Sequence, residues 1–195
     1  MKYVAIYIPG LGDKRKSLLF LQRQMLRGWR VYGIRTEIFA VHWTSNEKFS
    51  IRLKELLERI DELTEEGYKV VLVGASAGAS TALTAYVRRK NTVRCMVSIC
   101  GQLEPKVPSP ALDINPRFRQ SLDALERSLE HLTGADRHRI LTLRPRVDAV
   151  VQPEEAVLKG AKNVQMPVVG HLVGIAFGIV FESRRVARFI KQRDN

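Results

Sequence analysis

A serine flanked by two glycines lies near the middle of the chain, in the segment Gly74-Ala75-Ser76-Ala77-Gly78. The segment follows the apolar run KVVLV and precedes a stretch with helical spacing, so we expect Ser76 on a sharp strand-to-helix turn. Glycines two residues before and after the serine let the strand and helix backbones pass close together. Such a turn raises the hydroxyl above the sheet, next to the free N–H groups of a helix N-terminus. The pattern predicts a nucleophilic serine.

A serine nucleophile needs a base beside it, and the chain offers four histidines. His171 comes directly after the last apolar run, at the sheet edge where Ser76 is expected. His42 also follows a run but precedes the serine, which makes it a candidate pocket residue. His131 ends a predicted helix and His138 precedes a predicted strand, at the wrong edge of the sheet. We therefore expect His171 to be the base.

The base in turn needs a carboxylate that holds its tautomer and stabilises the imidazolium. Asp148 lies just beyond the fifth apolar run, in the segment R-P-R-V-D-A-V-V-Q-P, and Glu104 after the fourth run is the alternative acid. Ser76, Asp148 and His171 then follow strand ends in the chain order Ser, Asp, His. This order is typical of one class of serine catalysts.

Apolar runs alternate with helical segments along the chain. The runs are Val4–Ile8, Glu37–Val41, Val70–Val73, Val93–Ile99, Ile140–Leu143 and Asn163–Val168. The helical segments are Ser17–Arg27, Glu47–Leu63, Ala77–Arg89, Pro116–Leu132, Glu154–Leu158 and Val173–Lys191. The alternation predicts an α/β fold, with an open, doubly wound, mainly parallel sheet of about six strands and helices on both faces. Ligands of such sheets bind at the carboxyl ends of the strands.

Length and composition indicate one globular domain over residues 1–195, since 45% of the residues are hydrophobic and no repeat recurs. The segment 101–115 holds three prolines and is predicted to be a short lid-like loop. The two cysteines, Cys95 and Cys100, lie too far apart on one strand for a disulfide. No apolar run is long enough to span a membrane. These features favour a cytoplasmic protein.

The net charge of +12 raises the prior for anionic partners. The basic residues nevertheless fall in separate stretches, among them Lys14–Lys16, Arg88–Lys90, Arg144–Arg146 and Arg184–Arg188. No aromatic residues alternate with them as base stacking would require, so we expect no specific nucleic-acid partner. Nothing in the sequence indicates the oligomeric state.

Two phosphate-binding interpretations are weaker. The segment Gly10–Ser17 approaches the pattern G-x-x-x-x-G-K-[ST], but Arg15 replaces the second glycine and would obstruct the phosphates. Gly74 and Gly78 lack the intermediate glycine of a dinucleotide site. Histidine and cysteine spacings typical of zinc are missing. We expect neither a cofactor nor a metal.

The sequence resembles the α/β-hydrolase superfamily over essentially the whole chain, through P-G-L-G after the first strand, G-A-S-A-G, D-A-V-V-Q-P and G-H. The resemblance implies an oxyanion hole formed by the backbone N–H groups of Ala77 and Leu11. From their places after the strands, we expect Gly10, Gly12, His42 and Gln102 to line the substrate pocket. The chain departs from the family pattern in three ways: Pro9 stands where many members carry histidine, the two N-terminal antiparallel strands are missing, and the lid is short.

The expected function is that of a serine hydrolase that cleaves a carboxylic ester or thioester of a small acyl substrate. A Ser-His-Asp triad would form an acyl-enzyme intermediate with that small molecule. The alternative is a catalytically inactive protein of the same fold that uses its basic surface to bind anionic partners. The acyl and leaving groups do not follow from the fold.

Overall fold

The computed structural model describes residues 2–103 and 115–192, and these residues form an α/β structure around one sheet. The strands are β1 (Lys2–Ile8), β2 (Ile34–Ile38), β3 (Tyr68–Ala75), β4 (Cys95–Ile99), β5 (Ile140–Arg144) and β6 (Lys162–Gln165). The helices are α1 (Lys16–Arg27), α2 (Phe49–Glu65), α3 (Gly78–Arg88), α4 (Pro116–Leu129), α5 (Gly134–Arg137), α6 (His171–Val180) and α7 (Ser183–Lys191). A 3₁₀ helix, Gly28–Tyr32, follows α1.

The six strands lie in the order β2-β1-β3-β4-β5-β6, and every neighbouring pair is parallel. The chain starts near the centre, runs outward to β2 and returns to β3 on the other side of β1. The direction of winding therefore reverses between β1 and β3, which leaves a crevice at the carboxyl ends of these two strands. The predicted doubly wound parallel sheet is confirmed. The described residues contain no antiparallel strand.

Helices cover both faces of the sheet and create two separate cores. One core joins Val4, Ile6 and Ile8 of β1 to α2, α3 and α4. The other joins Tyr3, Ala5 and Tyr7 to α1, the 3₁₀ helix, α6 and α7. Because alternate residues of β1 enter opposite cores, its side chains from Tyr3 onward are all buried. This accounts for the unbroken apolar run in the sequence.

Several predicted element boundaries are wrong, including the ends of β6 and α4, and three differences change the picture of the fold. β2 covers Ile34–Ile38 rather than 37–41, because an edge strand paired on one side tolerates polar residues in its middle. Residues 154–158 lie in turns and irregular backbone instead of a helix. The last predicted helix is two helices, α6 and α7, which are separated by Phe181 and Glu182.

The predicted lid-like loop 101–115 is described only at its ends. Residues 104–114, which include the alternative acid Glu104, lie outside the described residues. Both cysteines are buried and free, as the sequence predicts. Among residues 2–103 and 115–192, no helix is long and apolar enough to cross a bilayer.

Candidate active site

Ser76 lies on the turn between β3 and α3, with the left-handed backbone angle φ 51°. The turn requires the glycines around it. A Cβ atom on Gly78 would lie 2.1 Å from the carbonyl oxygen of Ile8, and one on Gly74 would lie 2.5 Å from the Cα of Ala79. Both contacts are with backbone, so any larger residue would separate α3 from β1 or β3. The strained turn holds the Ser76 hydroxyl above the sheet.

Three side chains form one hydrogen-bonded chain at this edge of the sheet. His171 Nε2 lies 2.8 Å from Ser76 Oγ, and His171 Nδ1 lies 2.7 Å from Asp148 Oδ2. The other carboxylate oxygen, Oδ1, accepts the backbone N–H groups of Val150 and Val151 at 2.8 and 3.1 Å. A carboxylate held this way accepts the Nδ1 proton, which leaves Nε2 as the acceptor for the serine hydroxyl.

The acid and the base are held by two adjoining loops. Val147, after β5, pairs with Val169, after β6, and the Gly170 N–H donates to the Val147 carbonyl at 2.8 Å. Gly170 has φ 93°, which turns the chain so that His171 becomes the first residue of α6. The side chains of Asp148 and His171 are only 1% and 9% exposed. Burial limits the competition of water for their hydrogen bond.

The loop after β1 passes close to the serine. A Cβ atom on Gly10 would lie 2.8 Å from the Cβ of Ser76, so a side chain there would meet the hydroxyl. The next residue is Leu11, and no group among the described residues accepts its backbone N–H or that of Ala77. Two free donors therefore belong to the segments on either side of Ser76. The indole Nε1 of Trp43 donates to the Pro9 carbonyl at 3.2 Å and braces this loop.

A cavity of about 740 Å³ opens over Ser76 and His171. It is lined mainly by Gly10, Leu11, Gly12, Lys14, Arg15, Leu18, Leu21, Gln22, Val150, Leu172 and Ile175. The volume lies within the range of about 300–1,000 Å³ that is usual for small-molecule sites. Its apolar walls come from α1, α6 and the loop that holds Asp148. Lys14 and Arg15 add exposed positive charge beside the apolar wall.

Two expected pocket residues do not line this cavity. His42 is exposed, with φ 58°, and its backbone N–H donates to Asp13 Oδ2 at 2.5 Å. Gln102 is buried, and its backbone N–H donates to the Ser76 carbonyl at 3.3 Å. Gly10 and Gly12 do line the cavity. Two of the four residues expected in the pocket therefore lie at its wall, and two do not.

Sequence reasoning missed Gln22 and Asp13. Gln22 is 4% exposed and lines the cavity, and its Oε1 has no hydrogen-bond partner among the described residues. Burial raises the pKa of Asp13, against the opposing effect of the His42 N–H. The signal for Gln22 was its position on the apolar side of α1, next to Leu21 and Leu18. A polar residue on a buried helix face is a candidate for ligand contact.

Cys100 is the other buried nucleophile near the triad. Burial raises the pKa of its thiol, and the negative charge of Asp148 raises it further. The thiol therefore stays protonated at neutral pH and does not compete with Ser76. Among the described residues, no group of three His, Cys, Asp or Glu side chains is arranged to hold a metal ion.

The chain matches no protein-family model and no curated protein, but it is similar to many solved structures. The monoacylglycerol lipase of Paleococcus ferrophilus is 16% identical, with a TM-score of 0.60 over 96% of this chain and 93% of that one. Est1E from Butyrivibrio proteoclasticus is 13% identical, with a TM-score of 0.68 over 98% and 88%. An α/β-hydrolase enzyme from a lagoon sediment metagenome is 18% identical, with a TM-score of 0.62 over 100% and 93%. This chain therefore has the α/β-hydrolase fold.

Proposed function

We propose that the protein is a serine hydrolase that cleaves carboxylic esters or thioesters of small acyl substrates. The observation that carries the proposal is the continuous chain of hydrogen bonds from Asp148 through His171 to Ser76. Nucleophile, base and orienting acid each stand within hydrogen-bond distance of the next, and the serine faces a cavity of suitable size. A scaffold that only binds ligands has no physical need for all three groups in this order.

In the first step, His171 Nε2 takes the proton of the Ser76 hydroxyl as Oγ attacks the substrate carbonyl carbon. The imidazolium that forms is stabilised by the buried Asp148 carboxylate. The carbonyl oxygen becomes an oxyanion, and the free N–H groups of Ala77 and Leu11 are the proposed donors to it. Each such donor typically lowers the barrier by about 3 kcal/mol.

In the second step, the tetrahedral intermediate collapses. The bond to the leaving oxygen or sulfur breaks, and the imidazolium of His171 returns its proton to that atom. The acyl group remains on Ser76 Oγ as an ester. Water then enters, His171 takes one of its protons, and the hydroxyl attacks the acyl carbon. When the second intermediate collapses, the bond between the acyl carbon and Ser76 Oγ breaks, the imidazolium of His171 gives its proton to Oγ, and the carboxylic acid is released.

The cavity walls favour an acyl group with an apolar body. Aliphatic side chains form much of the wall, namely Leu18, Leu21, Leu172 and Ile175. Covering this surface with an apolar acyl chain removes it from water, which is favourable. The unpaired Oε1 of Gln22 is an acceptor inside this wall. That oxygen is buried and does not present an acceptor to the substrate, so the apolar walls set the preference for the acyl group.

The test is the time course of p-nitrophenyl butyrate hydrolysis, measured at high enzyme concentration. An acyl-enzyme mechanism predicts an initial burst of one p-nitrophenolate per protein when deacylation is the slower step, and turnover that is lost in Ser76→Ala. The matched control is Ser17→Ala, since Ser17 lines the same cavity without a histidine beside it. Wild-type protein without hydrolysis, or turnover that persists in Ser76→Ala, would favour the non-catalytic binding protein.

A further inference from the structure

The helices on one face of the sheet carry far more positive charge than the helices on the other face. We name α1, the 3₁₀ helix, α6 and α7 the basic layer, since together they cover one face. The helices α1 and α7 read KSLLFLQRQMLR and SRRVARFIK, with seven cations and no acid. All seven cations are exposed. Among the described residues, the acids next to these helices include Asp13 and Glu182, which are only 3% and 9% exposed, so the outer surface of the two helices is predominantly positive.

The opposite layer is electrically balanced. Helix α2 reads FSIRLKELLERIDELTE, with five acids and three cations. Arg59 pairs with Glu37 at 2.9 Å and with Glu62 at 2.8 Å, and Arg89 pairs with Asp61 at 2.7 Å. By contrast, the ion pair found in the described part of the basic layer joins Arg185 to Glu182, at 2.5 Å. The net positive charge is thus concentrated on one side of the molecule.

Helix α6 buries Gly174, Ile175, Gly178 and Ile179 against the sheet and exposes other large apolar residues. Its buried residues include Gly174 and Gly178, whose Cα atoms approach Cys100 and Ile99 so closely that an added Cβ would clash. Its exposed residues and the residue after it are Leu172, Val173, Val180 and Phe181, with exposures of 67, 57, 41 and 71%. A helix that merely covers a sheet directs such side chains inward.

The apolar surface continues onto α1 and reaches the cavity. Helix α1 packs against α6 and exposes Phe20 and Leu21, at 64 and 54%. Leu21 and Leu172 also line the cavity over Ser76. Exposed apolar side chains are ordinary when scattered, but a group gathered at a cavity and flanked by cations marks an interaction surface.

We propose that the basic layer docks on an anionic lipid surface, with the cavity over Ser76 directed toward the lipid. Lipid headgroup phosphates match the exposed Arg and Lys side chains, and the acyl region just below the phosphates matches the exposed Leu, Val and Phe side chains. A nucleic acid satisfies the charges but offers little to exposed aliphatic side chains. Helix α6 has ten residues, so it lies in the interface and does not span it.

The strength of docking follows from the same contacts. A Lys or Arg near an anionic membrane contributes about 1 kcal/mol, and this contribution is screened by salt. Removal of three cations should therefore weaken binding by about 100-fold. The apolar contribution is independent of salt and falls when exposed aromatic side chains are replaced by polar ones.

The experiment measures co-sedimentation with vesicles, in the Ser76→Ala background so that no lipid is hydrolysed. The vesicles contain phosphatidylglycerol and phosphatidylcholine in equal amounts, or phosphatidylcholine alone. The test variant is Arg184→Gln/Arg188→Gln/Lys191→Gln, three exposed positions on α7. A second variant, Phe20→Ser/Phe181→Ser, removes apolar surface at constant charge.

Each variant has a matched control on the opposite layer. Lys48→Gln/Lys54→Gln/Arg127→Gln removes the same number of exposed charges, and Ile51→Ser removes an apolar side chain that is 48% exposed. The charge control has the same net charge as the α7 variant, so a difference between them reports the location of the cations; Ile51→Ser reports the loss of one exposed apolar side chain outside the basic layer, against two within it.

We expect the Ser76→Ala protein to bind the anionic vesicles and not the phosphatidylcholine vesicles. The affinity should fall about 100-fold in the α7 variant, fall in the Phe variant and stay unchanged in both controls. Equal losses in test and control variants, or no binding to anionic vesicles, would overturn the docking surface. Tighter binding to duplex DNA than to the vesicles would also overturn it, in favour of a polyanion site. Because the experiment measures binding by the Ser76→Ala protein, which cannot form an acyl-enzyme, failure here is distinct from failure of the hydrolase proposal.

Discussion

Replacement of Gly78 by alanine tests whether the approach of α3 to β1 sets the serine turn. The added Cβ would lie 2.1 Å from the Ile8 carbonyl oxygen, well under the 3.0 Å that real Cβ contacts keep, and 2.8 Å from the Pro9 carbonyl oxygen. Both are backbone atoms, so no side-chain rotation relieves the overlap. The start of α3 must move by about 1 Å away from the end of β1.

Such a shift has a cost in stability and a cost in activity. Overpacking usually costs about 1–3 kcal/mol, and a contact with backbone falls at the upper end, about 3 kcal/mol. For a chain of this length the melting temperature should fall by roughly 6–12 °C. Because Ser76 moves with the turn, kcat should also fall by about 100-fold.

Gly28→Ala is the matched control. Gly28 has φ −59° and ψ −22°, and an added Cβ meets nothing within 4 Å. Its stability should stay unchanged or rise by about 0.5–1 kcal/mol, because alanine has less freedom in the unfolded chain. Thermal unfolding and ester hydrolysis of both variants supply the measurements. Equal melting temperatures for Gly78→Ala and Gly28→Ala would refute the explanation of the turn.

Three further substitutions probe separate parts of the account. Asp148→Asn keeps a side chain of the same shape but favours the wrong histidine tautomer, so kcat should fall about ten-thousandfold with little change in KM; a fall under tenfold would contradict the role of the acid. Burial tends to raise the pKa of Asp136, but hydrogen bonds from Thr133 and Lys90 outweigh it and leave the pKa lowered. The carboxylate contributes its full stabilisation above its ordinary pKa of about 3.9, and the contribution is lost as pH falls through the lowered pKa. Asp136→Asn should therefore lower the free energy of unfolding by about 1 kcal/mol at pH 7 and by less in acid, as measured by urea unfolding. Gln22→Leu removes a buried acceptor that has no partner among the described residues, so the melting temperature should hold or rise; a fall of several degrees in thermal unfolding would contradict this reading.

Much of the architecture was predictable because it follows from local patterns. The alternation of apolar runs and helical segments specifies parallel strands and crossover helices, and the six strands were found in this way. The glycines at 74 and 78 predicted the turn, since only a residue without a side chain fits where two backbones nearly touch. The positions of Ser76, Asp148 and His171 followed from the rule that strand ends meet at one edge of the sheet.

What could not be predicted depends on packing between distant segments. β2 lies three residues earlier than expected because pairing with β1, rather than hydrophobicity, selects residues 34–38. His42 follows the sheet edge in sequence, yet it does not line the cavity; its exposed loop is held by the hydrogen bond from its backbone N–H to Asp13. The cavity walls come from α1 and α6, whose mutual contact is a tertiary feature. The roles of the pocket residues and of the N–H groups of Leu11 and Ala77 remain predictions.

The central claim is that Ser76 is a nucleophile activated by His171. The most direct test is reaction with a fluorophosphonate, followed by intact mass and by peptide mapping of the modified residue. We expect one phosphonyl adduct per protein, located on Ser76, with labelling abolished in Ser76→Ala, strongly slowed in His171→Ala and retained in Ser17→Ala. An adduct on another residue, or labelling of Ser76→Ala at the rate of the wild-type protein, would contradict the account.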